Sequence, residues 1–198
     1  AIQFGPWTAV NYSVPAIDLE PNVVAEMSNV ELDDAGSIKT RKGYAKYISS
    51  ALSGTPSITG CGNQRFTSAS SAVFIIAATK FYEDVDGTWT DRTSTQTITA
   101  GNDNTFILAN AGGTLIASNG VDTVKKWAAA GGNIAALGMG SSSVTKAAVV
   151  AWWDNRVWLI NTNQGERLAH YSSSTDIESY GANDYFKTDS AITGAGPC

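Results

Sequence analysis

Short runs of β-branched and aromatic residues alternate with clusters of turn residues over most of the chain after residue 56. The clearest stretch predicts four strands: Ala147 to Trp153, Arg156 to Asn161, Glu166 to Ser172 and a weaker strand ending at Tyr180. The breaks between these strands carry residues that favour turns: Asp154-Asn155, Thr162 to Gly165 and Ser173 to Asp176. This stretch therefore predicts a four-stranded antiparallel meander.

Two earlier stretches have the same layout of strands and turns. The first predicts strands at Ile58 to Phe66, Ala72 to Ala78, Lys80 to Glu83 and Thr88 to Thr90. The second predicts strands at Asn104 to Ala109, Thr114 to Ser118, Val121 to Trp127 and Asn133 to Leu137. Equivalent strands recur about every 40 to 45 residues, and four strands per repeat at this spacing are typical of propeller blades. The sequence therefore predicts an all-β fold of three degenerate β-propeller-type antiparallel blades.

The motif that opens the first blade recurs near residue 191. Ser57-Ile58-Thr59-Gly60 and Ala191-Ile192-Thr193-Gly194 lie about three repeats apart, which predicts that a fourth blade starts at about Ala191. Residues 57–198 would then form three blades and the start of a fourth. Propellers close with about four to eight blades, and an open ring leaves unpaired strand edges. We expect either a portion of a longer protein, which we favour, or partner chains that cover the edges.

Residues 1–56 do not follow the blade period. Gly5-Pro6 and Val14-Pro15 predict an extended N-terminal arm, because a residue before proline is biased away from the helical conformation. Pro21 could begin a short helical turn at Asn22. The arm is therefore predicted to be extended with at most one turn of helix.

Two alternating segments, Glu26 to Leu32 and Ser37 to Tyr47, flank an Asp33 to Gly36 turn and predict a β-hairpin after the arm. Its second strand carries four basic residues: Lys39, Arg41, Lys42 and Lys46. We interpret them as a solvated face opposite the acidic residues near the turn, since cross-strand pairs of opposite charge stabilise one register. Contact with nucleic acid is the alternative interpretation.

The charge and cysteine content narrow the possible functions. The formal net charge is −5 and only 16% of residues are charged, so the chain has no general attraction for nucleic acid or an anionic membrane. Two cysteines, Cys61 and Cys198, are too few for a disulfide framework. A bridge between them is conceivable, but we expect Cys61 to be a buried free thiol.

Residues suited to catalysis or metal binding are few. The single histidine, His170, lies in a predicted strand, and no nucleophile-elbow motif accompanies it, so we interpret it as structural. The run Glu83 to Gly87 resembles a calcium loop but lacks the further spaced ligands, and its Asp86-Gly87 pair favours a hairpin turn. We therefore predict no enzyme activity, no cofactor and no metal site.

Four tryptophans, Trp127, Trp152, Trp153 and Trp158, could form a platform on which sugar rings stack. Strand alternation places Trp152 and Trp153 on opposite faces of a sheet. At least one of these two is therefore expected to pack between blades.

Two segments resemble a family of bacteriophage virion proteins. The run from Asn29 to Tyr44 is similar to an opening signature of Asn-Val, an acidic turn, Gly-x-Ile, basic residues and Gly-Tyr, which in that family precedes propeller-like repeats. Asn155-Arg156-Val157-Trp158-Leu159, followed by Tyr171-Ser172 and Asp176, resembles a blade motif of the same family. The resemblance extends from about Trp7 to Phe186.

The resemblance implies a structural component of a phage tail, in the hub or nozzle below the head-to-tail adaptor or adjacent to it. Such a protein is made in the host cytoplasm and assembles in the virion as a ring of identical chains around the DNA channel. Its partners would be other copies, the adaptor and other tail proteins, with DNA passing through without specific binding and no membrane contact. Members are usually several hundred residues long, so this chain would be an N-terminal portion. A carbohydrate-binding phage adhesin of propeller fold is the alternative function.

The arm and hairpin are predicted to dock neighbouring copies in such a ring. The residues chosen as the assembly interface are Trp7, Tyr12, Lys39, Arg41 and Tyr44. The low net charge also leads to the hypothesis that the lumen lets the duplex slide, since basic side chains are what bind phosphates.

Overall fold

The structure is a computed structural model that describes residues 9–10, 23–24, 30–32, 38–40, 45, 47–48 and 51–191. Up to residue 40 the description covers the backbone only. In these residues all regular secondary structure is β, with 16 strands and no helix, so the all-β prediction is confirmed for them. The chain divides between Tyr47 and Ile48 into two units, a few residues before the predicted boundary after residue 56.

The first unit contains two strand pairs in its described residues. Strand β1 (Ala9–Val10) pairs in parallel with β2 (Val23–Val24), and β3 (Val30–Leu32) pairs antiparallel with β4 (Ile38–Thr40). The β3–β4 pairing agrees with the predicted hairpin. The helical turn expected at Asn22 does not continue into Val23 and Val24, because these β-branched residues are extended and paired with β1.

The second unit contains three four-stranded antiparallel sheets, each a meander in chain order. The first sheet consists of β5 (Ile58–Arg65), β6 (Ser71–Ala77), β7 (Lys80–Val85) and β8 (Thr88–Asp91). The second consists of β9 (Ile107–Ala111), β10 (Thr114–Ser118), β11 (Lys125–Trp127) and β12 (Ala135–Ala136). The third consists of β13 (Ala147–Trp153), β14 (Arg156–Thr162), β15 (Gly165–Tyr171) and β16 (Tyr185–Lys187). Three antiparallel four-stranded repeats were predicted, and this part of the prediction is confirmed.

Two predicted strand positions are wrong. The fourth strand of the third repeat does not end at Tyr180, which is buried in a loop and accepts a hydrogen bond from the Ser141 amide through its carbonyl (3.0 Å). The strand forms later, at Tyr185–Lys187. In the second repeat the third strand starts at Lys125 rather than Val121, because the Asn119 side chain accepts the Val121 amide proton and turns the chain there.

Two-residue loops with left-handed backbone conformations close three of the hairpins. Both loop residues have positive φ in Asp86-Gly87 (51° and 80°), Gly112-Gly113 (60° and 97°) and Asp154-Asn155 (51° and 55°). This combination is typical of type I′ turns, whose twist matches that of the flanking strands. Gly113 is also needed for space, because a Cβ there would lie 2.4 Å from the Phe66 carbonyl oxygen. The turn interpretation of Asp86-Gly87 is therefore confirmed.

The three sheets pack face to face through two hydrophobic clusters. In the first junction, side chains of the first sheet meet side chains of the second: Phe74, Ile76 and Phe81 against Leu115, Ala117 and Trp127. In the second junction, the second sheet meets the third: Ala111 and Ile116 against Val150, Val157 and Leu159. Strand alternation along β10 sends neighbouring residues to opposite junctions, so the second sheet is covered on both faces.

Aromatic packing gives the first junction its geometry. The Trp127 ring lies edge to face against Phe66 (4.8 Å, 88°) and Phe81 (5.0 Å, 67°), and its Nε1 donates to the Gly132 carbonyl at 2.8 Å. Such edge-to-face contacts align the negative face of one ring with the positive edge of another. The indole is therefore fixed in the core with its polar atom satisfied.

Each junction also contains a glutamate that reaches the second repeat. The buried Glu83 carboxylate accepts hydrogen bonds from the Gly131 amide at 2.8 and 3.1 Å and from Arg92 Nε at 2.7 Å. In the second junction Glu178 accepts from the Gly138 amide at 2.6 Å and forms an ion pair with Lys126. We call these the two glutamate links.

The expectation that Cys61 is buried is wrong, since its thiol is free and exposed. Cys61 pairs with Ile75 in the β5–β6 ladder, so its side chain points away from the first junction. Its neighbours Gly60 and Gly62 occupy the junction side, where an added Cβ would come within 3.1 Å of Ile76 or 3.2 Å of Phe74. Glycine at those two positions makes room for the aromatic core, and the cysteine falls on the opposite face.

Candidate interaction surface

An aromatic surface covers the face of the third sheet that points away from the second sheet. Along β14, Val157 and Leu159 enter the second junction, so Trp158 lies on the other face. Across the strands, Tyr171 pairs with Trp158, Trp153 pairs with Arg156, and Phe186 pairs with Ala169. We call Trp153, Trp158, Tyr171 and Phe186 the aromatic face.

The four rings of the aromatic face form one continuous cluster. The centre of the Trp158 ring lies 5.8 Å from Trp153, 5.2 Å from Tyr171 and 5.7 Å from Phe186, the last pair being within 9° of parallel. Trp153 is 67% exposed and Phe186 is 57% exposed. Contiguous exposed aromatic surface of this kind is a common feature of binding sites.

Hydrogen bonds hold this cluster in place. Trp158 Nε1 donates to the Trp153 carbonyl oxygen at 3.1 Å. The Arg156 guanidinium lies 5.2 Å from the centre of the Tyr171 ring and donates to the Ser172 carbonyl at 2.8 Å. A surface whose side chains are already ordered loses less conformational entropy when a partner binds.

The structure separates the four tryptophans considered in the sequence. Trp152 packs against the second junction whereas Trp153 is exposed, which confirms that they lie on opposite faces. Trp127 is buried in the first junction, so its assignment to a sugar platform is wrong. Trp153 and the half-buried Trp158 remain accessible.

Two aromatic residues of this face were missed by the sequence analysis. Phe186 belongs to a strand that was predicted to end at Tyr180, so its register was not considered. Tyr171 was assigned to a strand, but its position opposite Trp158 depends on the β14–β15 register. That register shifts at a bulge between Ile160 and Thr162, where Asn161 has a φ of 53°.

His170 is buried on the opposite face of β15, where its backbone position is level with Leu159. In the described part of the chain neither ring nitrogen has a hydrogen-bond partner, and the nearest ring is that of Tyr185 at 5.4 Å. Burial lowers the pKa of this imidazole. The described residues therefore place neither a nucleophile nor an orienting carboxylate in hydrogen-bond contact with His170.

The acidic run Glu83 to Gly87 does not converge on one point. The Glu83 carboxylate is buried in its link to Gly131, whereas Asp84 Oδ1 accepts the Gly87 amide proton at 2.9 Å within the turn. Across the described residues, no group of three or more histidine, cysteine, aspartate or glutamate side chains is placed to hold a metal ion. The same residues include no helix with the length and apolar character needed to cross a membrane.

The residues chosen for the assembly interface stay predictions. Trp7, Tyr12, Arg41 and Tyr44 lie outside the described residues. Lys39 lies in β4, where its backbone pairs with that of Glu31, in accord with the predicted opposition of charged residues. The predicted fourth blade after Ala191 also lies outside the described residues.

Comparison with known proteins does not assign the chain to a family. No protein-family model matches it, and no curated protein matches it significantly.

Proposed function

We propose that this chain is a structural component of a bacteriophage tail, in or next to the hub or nozzle, that assembles as a ring of identical copies around the DNA channel. The observation that carries the proposal is the stack of three four-stranded antiparallel meanders in chain order. The second sheet is covered on both faces, as an inner propeller blade is, and we propose a propeller-type arrangement on that basis. Such a stack is a stiff wall with turns and edges left for contacts with other chains.

The blade motif shared with the phage family has a physical role in the third sheet. The Val157 amide donates to Ser172 Oγ at 2.9 Å, and Arg156 donates to the Ser172 carbonyl at 2.8 Å. Trp158 and Tyr171 face each other across the same two strands. The motif residues therefore lock β14 to the end of β15, which supports a structural rather than a catalytic use of the motif.

The aspartate that completes the motif orients a junction residue. Asp176 Oδ1 accepts the Glu178 amide proton at 2.9 Å, and the Asp176 carbonyl accepts from Ser179 at 3.2 Å. This turn presents the Glu178 carboxylate to Lys126 and Gly138 of the second repeat. Asp176 thus helps to join one sheet to the next, as a wall-forming protein requires.

The charge of the chain suits a channel through which DNA moves. Lysine and arginine contacts to phosphates are the main source of non-specific DNA affinity. With a net charge of −5 and 16% charged residues, a ring of this chain has little capacity to hold the duplex. Neighbours in this proposal are the head-to-tail adaptor and other tail proteins of the virion.

Mass spectrometry of protein taken from purified virions tests this proposal, first denatured and then under native conditions. We expect peptides of this chain in particles, and a cyclic assembly of equal copies that negative-stain electron microscopy displays as rings. Detached tails should retain the protein and the separated heads should lack it. A protein that is absent from purified virions, or that is recovered from tails only as single copies, would refute the proposal.

The exposure of Trp153 favours a second candidate function, that of a carbohydrate-binding phage adhesin. An exposed indole can stack on the apolar face of a sugar ring, and Asp154 and Asn155 lie exposed beside it with polar groups for hydroxyls. Glycan-array binding that is lost in Trp153→Ala and kept in Trp152→Phe would support the adhesin. Equal binding by both variants, or none by the parent chain, would exclude it.

A further inference from the structure

The two ends of the sheet stack present different faces of the same kind of sheet. The first sheet uses its Phe74 side in the first junction, and the third sheet uses its Leu159 side in the second junction. At one end this leaves the aromatic face. At the other end it leaves the outer face of the first sheet, which contains Cys61, Val73 and Tyr82.

The aromatic face is apolar at its centre and cationic in its strands. Arg156 and Arg167 lie on this side by strand alternation. The only carboxylate residue within β13 to β16 is Glu166, which alternation places on the opposite side. A complementary surface would therefore offer apolar or aromatic groups together with carboxylates.

The outer face of the first sheet has that composition. Val73, Tyr82 and Trp89 are half-buried there, and Cys61 is exposed. Asp91 pairs with Tyr82 across the ladder and carries a carboxylate that is 40% exposed, in an ion pair with Lys80. An arginine of a partner could share this carboxylate from the open side.

We infer that the aromatic face of one copy binds the outer face of the first sheet of a second copy of this chain. The inference rests on the proposed ring, for which it names the two surfaces in contact. A second copy is the occupant because both junctions within the chain already stack consecutive sheets in this order, and the contact would repeat that step between copies. Such a head-to-tail contact is heterologous, so it closes a ring when the rotation per copy divides a full turn.

Charge introduced into the aromatic face tests the contact. Trp153→Asp alters a side chain that is 67% exposed, so the fold should be kept while the apolar centre of the surface is lost. The matched control is Val121→Asp, an exposed apolar residue outside both surfaces. In sedimentation velocity across a concentration series, we expect Trp153→Asp to weaken self-association at least tenfold and Val121→Asp to leave it unchanged.

Disulfide cross-linking locates the contact directly, because the native Cys61 thiol lies on one of the two surfaces. In a Cys198→Ser background, Ala151→Cys adds a thiol opposite Trp158 on the aromatic face. With copper phenanthroline as oxidant, we expect a ladder of covalent oligomers in non-reducing gels. The control Ser174→Cys, at an exposed loop position, should give no more than a background of dimers.

The outcomes separate this inference from the proposed function. Rings that persist in Trp153→Asp and give no ladder with Ala151→Cys would overturn the inference and leave the ring itself standing. A chain that is monomeric at every concentration would overturn the contact, and one that also binds glycans through Trp153 would replace it with the adhesin. Loss of rings in Trp153→Asp, together with the ladder, supports it.

Discussion

Replacing Glu83 with alanine removes the buried link between the first and second sheets. The Glu83 side chain is 3% exposed, and its loss leaves both the Gly131 amide and the Arg92 guanidinium without their acceptor. Removing one partner of a buried ion pair costs about 3–5 kcal/mol. Because the Arg92 side chain is 20% exposed and water can reach it, we expect about 2–4 kcal/mol of lost unfolding free energy.

Urea unfolding, followed by tryptophan fluorescence, measures this loss, since Trp127 lies in the same junction. In a chain of this size each kcal/mol lowers the melting temperature by about 2–4 °C, so the variant should melt about 5–15 °C lower. Glu83→Gln should fall between the parent and alanine, because the amide oxygen can still accept from Gly131 but carries no charge.

The ion pair between Lys80 and Asp91 provides a matched control in the same sheet. Its atoms are 2.7 Å apart, but its side chains are 45% and 40% exposed, so solvent screens it. Lys80→Met should therefore leave the unfolding midpoint within experimental error. If Glu83→Ala lost no more stability than Lys80→Met, the glutamate link would not hold the sheets together.

Three further outcomes are expected. Burial lowers the pKa of His170, so the unfolded state binds more protons and stability should fall as the pH drops below about 6.5; His170→Phe should flatten this dependence in urea titrations between pH 5 and 8, and an unchanged slope would contradict it. Gly113→Ala should cost more than about 2 kcal/mol in the same assay because its Cβ would strike a backbone carbonyl, whereas Gly87→Ala, with open space around it, should cost about 1 kcal/mol. In Cys198→Ser protein, the exposed Cys61 should react with a thiol reagent without unfolding, and a rate that required denaturant would refute its exposure.

Local signals in the sequence were sufficient for most strands of the second unit. The predicted limits of Ala147 to Trp153 and Thr114 to Ser118 agree with β13 and β10. Turn residues end these strands directly, and two-residue loops leave little freedom for register. Strand alternation likewise separated Trp152 from Trp153 correctly.

Features that depend on contacts distant in sequence could not be predicted in this way. Tyr180 has high strand propensity, but its carbonyl bonds to Ser141 and its side chain fills the second junction. The burial of Cys61 was misjudged because its flanking glycines take the inner positions of β5. The partners of Glu83 and Glu178 are about 40 to 50 residues away, beyond any periodic pattern.

The second sheet is the smallest of the three, since β11 has three residues and β12 has two, yet both clusters depend on it. It cannot open without exposing Leu115 to one side and Ile116 to the other. Hydrogen exchange at its amides should therefore require the whole three-sheet unit to unfold cooperatively. The shortest strands of the protein would then be among its slowest to exchange, and a fault at either junction would be felt throughout the stack.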